Sequence, residues 1–302
     1  MLILANSLNS PEENLSFEEY YFNVFEEDTL RIWRNPASVI IGKHQNAFSE
    51  ANLNFCHQNQ IPIVRRISGG GTVFHDLGNI NFSFFRFVEK GNQINYSENL
   101  QMVSDVLRSM GFRVHQSQRH DLFIGETKIS GNAQHVSKGR ALHHGTILYD
   151  SDMQLLSNSI KRQYGHFEDK SVKSVRSKVS NLKHFIDFGT SSEFYECLVQ
   201  TFIDQFTLQT ATFTQNEVNQ KYYTSAWNFG YGPKFTLTCE ENNHYLILQI
   251  DRGGRINKVE SNHEDWLVIF EEIEKFDFEL ISKRLNSINT IASNALQKQL
   301  FS

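Results

Sequence analysis

The segment RRISGGGTVFHDLGN at residues 65–79 has the composition of an anion-binding loop. Its three consecutive glycines carry no Cβ, so the backbone can pass close to a ligand with its amide groups accessible. Arg65 and Arg66 stay charged and present planar sets of donors that fit a carboxylate or a phosphate. A glycine run can also form a plain tight turn, and an arginine pair is often solvated. This segment alone therefore leaves both interpretations open.

A second segment, RHDLFIGETKISGNAQ at residues 119–134, places a single lysine in an apolar, strand-like context. Burying a bare ammonium costs free energy, so Lys128 must be paired or must have a lowered pKa. A bound phosphate would supply the partner. The alternative is a lysine whose aliphatic stem packs while its ammonium reaches water.

The two segments together could bind a carboxylate or a phosphate. A site for such anions must supply fixed positive charge and backbone donors where charge develops. The glycine loop, Arg66 and Lys128 are the candidates for that task. Asp121, in the RHDL sequence ahead of the lysine strand, could hold Mg²⁺, although a turn residue hydrogen-bonded to local backbone is an equal alternative.

Six motifs in register resemble the lipoate-protein ligase A family, and the resemblance covers nearly the whole chain. They are WRNPASVIIGKHQN (33–46), RRISGGGTVFHDLGN (65–79), KISGNA (128–133), HHGTIL (143–148), SVRSKVSNL (174–182) and WNFGYGPKF (227–235). The resemblance implies an enzyme that uses ATP and Mg²⁺ to convert lipoate to lipoyl-AMP. It then transfers the lipoyl group to a lysine of an acceptor lipoyl domain. The implied acceptors are the E2 subunits of 2-oxoacid dehydrogenases and the H protein of the glycine cleavage system.

The family match also implies roles for individual residues of this chain. Lys128 is the expected catalytic residue, an electrostatic clamp that touches the acyl carbonyl and the phosphate. The implied ATP and lipoyl-AMP contacts are Arg66, Gly71, Thr72, Val73, Phe74 and Lys128; the implied lipoate pocket is Arg65, Ser68, Gly69, Gly70, His75 and His144; the implied adenylate loop contains Ser174, Val175, Arg176 and Lys178. The base that deprotonates the acceptor lysine is not identified by any motif.

The element pattern predicts an α+β fold with a mixed, mainly antiparallel sheet flanked by helices, because strands and helices alternate irregularly. The predicted strands are 2–5, 29–34, 38–42, 61–66, 79–87, 121–124, 128–135, 141–149, 235–239, 244–251 and 255–260, and the predicted helices are 16–26, 49–58, 97–110, 192–206, 264–272, 278–287 and 290–300. A basic stretch at 160–183 reads as a lid or binding loop. We predict a catalytic domain at 1–232 and a small α+β domain at 233–302, which the family resemblance implies will shift between the two half-reactions.

Composition excludes several classes of partner. The 302-residue chain has a net charge of -5 and a pI of about 6.2, which argues against nucleic acid. It shows no membrane-length apolar run and no signal-like N-terminus.

Cys56, Cys197 and Cys239 have no CxxC spacing, which favours a reducing, cytoplasmic location and argues against a structural zinc or disulfide framework. The 25 phenylalanines must fill much of the core.

Alternative functions are separated by their motifs. A P-loop enzyme would need GxxxxGK[ST], and a biotin ligase an arginine-alternating GRGR run; the chain contains neither. A cysteine-type octanoyltransferase would need a thiol near residues 116–125, where none occurs. A transferase that uses only preformed lipoyl-AMP, and a non-catalytic binder of lipoate or lipoyl domains, remain open alternatives.

Overall fold

A computed structural model describes residues 1–88, 96–160, 165–175, 177–214, 218–288 and 291–302. The strands are β1 (Leu2–Ala5), β2 (Thr29–Arg34), β3 (Ser38–Ile41), β4 (Ile63–Arg65), β5 (Val73–His75), β6 (Asn79–Phe87), β7 (His115–Gln116), β8 (Leu122–Ile124), β9 (Thr127–Ser130), β10 (Asn132–Ser137), β11 (Arg140–Leu148), β12 (His166–Asp169), β13 (Gln209–Thr210), β14 (Phe235–Glu241), β15 (His244–Ile250) and β16 (Ile256–Ser261). The α-helices are α1 (Pro11–Val24), α2 (Ala47–Glu50), α3 (Leu53–Gln58), α4 (Tyr96–Ser109), α5 (Met153–Ile160), α6 (Ser191–Phe206), α7 (Glu264–Phe270), α8 (Phe278–Ile288) and α9 (Ile291–Phe301). Across these ranges, no helix is both long enough and apolar enough to cross a bilayer.

The central sheet has six strands in the order β10-β11-β6-β2-β1-β13. Strands β10, β11, β6 and β2 pair antiparallel, whereas β1 runs parallel to both of its neighbours. The chain also forms two three-stranded sheets, with the strand orders β4-β3-β5 and β7-β8-β9. The predicted α+β class with a mixed, mainly antiparallel sheet is confirmed.

The segment predicted as one strand at 128–135 is two strands in different sheets. β9 pairs with β8, while β10 pairs with β11 in the central sheet. Gly131 lies at the break, where its carbonyl accepts from the Thr146 amide at 3.1 Å and its own amide donates to the Thr146 hydroxyl at 3.3 Å. These bonds satisfy the backbone where the chain changes sheets. The break lets Lys128 and Ala133 reach one cavity from two sheets.

Two helix boundaries differ from prediction for reasons of capping. Helix α1 begins at Pro11, five residues before the predicted start, because the Ser10 side chain accepts from the Glu13 amide and proline occupies the first turn. The predicted helix at 49–58 is the pair α2 and α3, which Asn46 and Asn52 cap separately. The apolar pattern identified these helices but did not mark their first residues.

A second, four-stranded sheet forms the C-terminal part, in the order β12-β14-β15-β16. Its first strand comes from the basic stretch before residue 183, so the sheet incorporates a segment that precedes the predicted boundary at 233. Its core also includes Phe48 of α2, whose ring lies 5.6 Å from that of Phe235 and 4.8 Å from that of Phe276. The division at residue 233 stays a prediction.

Aromatic side chains fill the core, as the composition predicted. Phe82, Phe84 and Phe85 of β6 are completely buried, and they separate onto two apolar clusters on opposite faces of the central sheet. The Tyr149 and Phe194 rings stack at 3.9 Å between centroids and join the sheet to α6.

Candidate active site

A cavity of about 360 Å³ lies between the glycine loop, which connects β4 to β5, and strand β9. Gly70, Gly71 and Thr72 line one wall, and Lys128 lines another. The remaining lining residues are Leu15, Trp33, Ile40, Arg66, Val73, His75, Asn81, Arg119, Asp121, Gly131, Asn132, Ala133, His144, Gly145, Thr146, Val172, Lys173, Ser174 and Val175. The structure therefore places the glycine-loop segment and the Lys128 segment at the same cavity.

Arg66 holds the glycine loop in place through hydrogen bonds to its backbone. One guanidinium nitrogen, Nη2, donates to the carbonyls of Gly69 at 2.5 Å and Gly71 at 2.7 Å, and Nη1 donates to the Ile40 carbonyl at 3.1 Å. Gly70 adopts a φ of +82°, which side chains rarely tolerate. Burial lowers the Arg66 pKa to about 10, so the guanidinium remains a cation at neutral pH. Arg66 thus positions the loop and adds fixed positive charge to the cavity wall.

The partner of Lys128 is Asp121. Their Nζ and Oδ1 atoms lie 3.0 Å apart, and their side chains are 21% and 17% exposed, so the pair remains accessible from the cavity. The sequence argument required a partner for this ammonium, and the chain itself provides one. An anionic ligand would meet Lys128 already oriented by Asp121.

The basic segment docks against both walls. The Lys128 amide donates to the Lys178 carbonyl at 2.9 Å, and the Ser180 amide donates to the Lys128 carbonyl at 3.2 Å. On the glycine side, the Ser174 hydroxyl accepts from the Thr72 amide at 2.9 Å and donates to the Glu50 carboxylate. The part of this segment at Ser174 therefore covers the glycine loop.

A buried polar network lies under the cavity and joins His144 to Glu18. The His144 Nδ1 atom lies 2.9 Å from each Glu18 carboxylate oxygen, and its Nε2 atom lies 2.6 Å from the Ser68 hydroxyl. Ser83 donates to the same carboxylate at 2.7 Å. Burial opposes ionisation of Glu18, but His144, Ser83 and Arg31 outweigh it and hold the pKa of this carboxyl below its usual value. These hydrogen bonds fix the orientation of the His144 ring, which lines the cavity.

His143 and His144 are adjacent on β11, so their side chains should point to opposite faces of the sheet, and their contacts agree. His143 bonds to Asn99 and Asn132 and is absent from the described cavity lining, whereas His144 is part of it. His75 also lines the cavity, and burial lowers its pKa to about 3, so its imidazole is neutral.

Most of the predicted site residues meet at the cavity, but several do not. Arg66, Gly70, Gly71, Thr72, Val73, His75, Asp121, Lys128, His144, Ser174 and Val175 line it, whereas Arg65, Ser68, Gly69, Phe74 and Lys178 lie outside the described lining; Arg176 lies outside the described residues. Phe74 is buried in the core and contributes no cavity surface there. Lys178 is exposed and contacts the site through its carbonyl.

Arg65 is held by a different set of contacts from Arg66. It is completely buried, and its guanidinium donates to the carbonyls of Gly42, Lys43, Gln45, Trp227 and Asn228 at 2.8 to 3.1 Å. Arg65 therefore joins the glycine-loop region to the 227–228 segment, and its part in a lipoate pocket stays a prediction.

Sequence reasoning did not single out three residues of the apolar wall or the buried acid beneath it. Trp33, Leu15 and Ile40 line the cavity, although only Trp33 and Ile40 fall in a motif quoted above. Glu18 gave a weak signal: it lies on the buried face of α1 together with Phe17 and Phe22, where an acid needs a partner. Its partner, His144, is 126 residues away in the chain.

Replacing Gly131 with alanine should impair catalysis without unfolding the protein. A Cβ there would lie 3.1 Å from the Lys128 Cε and Nζ atoms, so the flexible lysine must shift by a few tenths of an ångström. A small displacement of a reacting group can cost a large rate factor. We expect pyrophosphate release from ATP and lipoate to fall about tenfold while the melting temperature stays near the wild-type value.

Gly230→Ala is the matched control for that substitution. Its Cβ would meet the Gly253 carbonyl at an ordinary contact distance of 3.4 Å. Equal activity of the two variants would contradict the tight fit inferred around Lys128.

Thiol chemistry and a preformed metal cluster lack support in the described residues. Burial raises the pKa of Cys56 to about 12, and none of the three cysteines lines the described cavity. No group of three or more histidine, cysteine or acidic side chains stands ready to hold a metal ion in the described ranges. Asp121 is a single carboxylate on the cavity wall, which fits a magnesium ion held largely by phosphate oxygens and water.

Comparison with known proteins agrees with this geometry. A family model, the lipoyl protein ligase A/B catalytic domain, matches residues 10–203. The lipoate-protein ligase LplJ of Bacillus subtilis (strain 168) is 34% identical over 272 residues, which cover 85% of this chain and 82% of that protein.

Two solved structures share the fold. A lipoate-protein ligase A with bound ATP has a TM-score of 0.62 at 28% identity and covers 76% of this chain and 98% of its own. Protein Ta0514 of T. acidophilum, solved with bound lipoic acid, has a TM-score of 0.62 at 26% identity with the same coverage. The matched domain spans all of the cavity-lining residues described above, and the chain belongs to the lipoate-protein ligase A family.

Proposed function

We propose that this chain is an ATP-dependent lipoate-protein ligase, which forms lipoyl-AMP and transfers the lipoyl group to a lysine of an acceptor protein. The observation that carries the proposal is the single cavity shared by Lys128, the glycine loop and an apolar wall. A carboxylate with a long apolar chain matches such a cavity, because its head needs cations and its tail needs Trp33 and Ile40. The relatives with bound ATP and bound lipoic acid support both ligands.

Lys128 acts on the head of the substrate. Its ammonium neutralises the repulsion between the carboxylate and the α-phosphate and continues to hold the developing charge through the reaction. The lysine undergoes no covalent step. The carboxylate oxygen attacks the α-phosphorus, pyrophosphate leaves, and the mixed anhydride remains between Lys128 and the glycine loop.

The glycine-loop wall and the basic segment act on the nucleotide. Arg66 adds positive charge, and the amides from Gly71 to Phe74 are the proposed phosphate donors. The Thr72 amide donates to the Ser174 hydroxyl at 2.9 Å, so a phosphate that accepted from this amide would displace the Ser174 hydroxyl. Magnesium, when bound, would be held by Asp121 with phosphate oxygens and would supply charge neutralisation there.

The acceptor of the second half-reaction is a lysine on another protein. We propose lipoyl domains of 2-oxoacid dehydrogenase E2 subunits and the glycine cleavage H protein, in keeping with the family, and a cytoplasmic location. The free state of all three cysteines supports that location. We also propose that residues 233–302 act as a unit that shifts between the half-reactions.

Pyrophosphate release tests this function. Wild-type protein with lipoate, ATP and Mg²⁺ should release pyrophosphate without an acceptor and retain lipoyl-AMP after gel filtration. Labelling of an apo lipoyl domain should then follow without further ATP. If only added lipoyl-AMP supports labelling, the protein is a transferase. If neither reaction occurs while lipoate binds, it is a non-catalytic binder.

A further inference from the structure

Two buried N–H groups on the cavity wall lack partners in the described part of the chain. They are the Nε2 atom of His75 and the Nδ2 atom of Asn81. The two residues are 4% and 2% exposed, and both line the cavity. Buried donors are nearly always hydrogen-bonded in folded proteins, so two of them in one cavity point to a ligand acceptor.

A chain of hydrogen bonds determines which nitrogen of His75 carries the proton. The Leu8 amide and the Arg31 guanidinium donate to the Asn14 Oδ1 atom at 3.1 and 2.7 Å, so the other end of that amide is its NH₂ group. This NH₂ group donates to the Asn35 Oδ1 atom at 2.8 Å. The Asn35 NH₂ group therefore faces His75.

The Asn35 NH₂ group lies 3.0 Å from the His75 Nδ1 atom, which must accept its hydrogen bond. The imidazole is neutral because burial lowers its pKa to about 3. A neutral imidazole that accepts at Nδ1 carries its proton on Nε2. The unpartnered His75 atom is consequently a donor.

The two donors flank Trp33 in the apolar part of the cavity. The His75 ring meets the Trp33 ring edge to face at 6.0 Å between centroids, and Asn81 pairs with Trp33 in the β2–β6 register. Leu15, Ile40 and Val73 supply the nearby apolar lining. Asn81 accepts at Oδ1 from the Asn79 NH₂ group at 2.9 Å, and its own NH₂ group has no partner among the described residues.

We propose that His75 and Asn81 form a donor pair that recognises the sulfur atoms of a 1,2-dithiolane ring and so selects lipoate over saturated fatty acids. This inference rests on the proposed function and adds a specificity determinant to it. A saturated acyl tail has no lone pairs and would leave both donors unsatisfied. Sulfur is a weak acceptor, but it relieves part of that cost.

The decisive comparison uses an isostere of lipoate without sulfur. 5-Cyclopentylpentanoate has the same chain and a ring of the same size, so it fills the same space but offers no acceptor at the tail. Isothermal titration of the full-length protein with each acid, without ATP, measures the ratio of their dissociation constants. We expect lipoate to bind about five- to tenfold more tightly, and octanoate to resemble the cyclopentyl acid.

Two substitutions should reduce this ratio. In Asn81→Leu and His75→Phe, each of which removes one donor, lipoate should lose affinity while the cyclopentyl acid should bind as tightly as before or more tightly. The ratio should fall to about threefold or less in each variant. Ile40→Val is the matched control, since it changes the same wall without changing a donor and should weaken both acids by a similar factor.

Three outcomes would overturn the inference, and one of them also concerns the proposed function. Equal affinity of the wild-type protein for both acids would mean that water satisfies the donors. An unchanged ratio in Asn81→Leu and His75→Phe variants that melt near the wild-type temperature would assign the selectivity elsewhere. Failure of both acids to bind would refute the proposed function as well, whereas equal binding leaves it intact.

Discussion

Lys128→Ala is expected to lower pyrophosphate release from ATP and lipoate by at least about a hundredfold. The substitution removes the ammonium that lies 3.0 Å from Asp121 in the cavity wall and leaves the carboxylate to repel both anionic substrates. The fold should persist because the lysine side chain is partly exposed and fills no core cavity. Assays of pyrophosphate release test the expected loss of activity, and melting temperatures measured in parallel test whether the fold persists.

Lys183→Ala is the matched control, because it also removes a lysine–aspartate ion pair. Lys183 bonds to Asp150 at 2.8 Å, outside the described cavity lining. Its activity should stay within about twofold of wild type, since exposed ion pairs contribute little to stability. If Lys128→Ala retained wild-type turnover, the role of this ammonium as the electrostatic clamp would be refuted.

Glu18→Gln should produce the largest loss of stability. Glu18 is 1% exposed and is the anion among His144, Arg31 and the nearby Arg66. Removing the charge of this buried carboxylate leaves the buried Arg31 guanidinium without its counter-charge, and breaking a buried charge pair from one side costs about 3–5 kcal/mol. We expect the melting temperature at neutral pH to fall by at least about 5 °C.

The same substitution should change the dependence of stability on pH. The folded-state pKa of Glu18 lies below its usual value of 4.5, so this group's contribution is present above that pH and is lost as the pH falls through the folded-state pKa. The gap in melting temperature between wild type and Glu18→Gln should therefore narrow below about pH 4.5. A gap that stayed constant in acid would contradict this ionisation.

Glu168→Gln provides the control on the surface. It removes another glutamate–histidine pair, in which Glu168 and His166 lie 3.5 Å apart with side chains 71% and 73% exposed. Solvent screens such a pair, and the change in stability should stay below about 1 kcal/mol. A large effect at both positions would show that loss of a carboxylate, and not its burial, governs the result.

Periodic elements were predictable, and several of their ends were not. The strand at 79–87 and the helix near 192–206 appear as β6 and α6, because each has enough apolar repeats to bury one face. Errors arose where a single local bond decides, as at Ser10 for the start of α1. The segment at 128–135 misled because its mixture of small and polar residues continues across Gly131 without any change in composition.

The candidate site was predictable to a comparable extent. Lys128 stood out because an ammonium in an apolar strand needs a partner. Residue type did not identify that partner, because Glu126 is nearer in the chain than Asp121, and only the fold brings the Asp121 carboxylate to 3.0 Å. Arg65 could not be separated from Arg66 by residue type. Their different roles depend on which carbonyls surround each guanidinium, and for Arg65 these include carbonyls of residues 227 and 228.

The amino-acid sequence alone determined the family, the α+β class, the glycine loop and the need for a charge partner at Lys128. These follow from residue types and short spacings, which local chemistry constrains directly. Tertiary structure decided which side chains share the cavity, how Glu18 meets His144, and which nitrogen of His75 carries the proton. Those features depend on contacts between residues far apart in the chain, and only packing of the folded backbone brings such residues together.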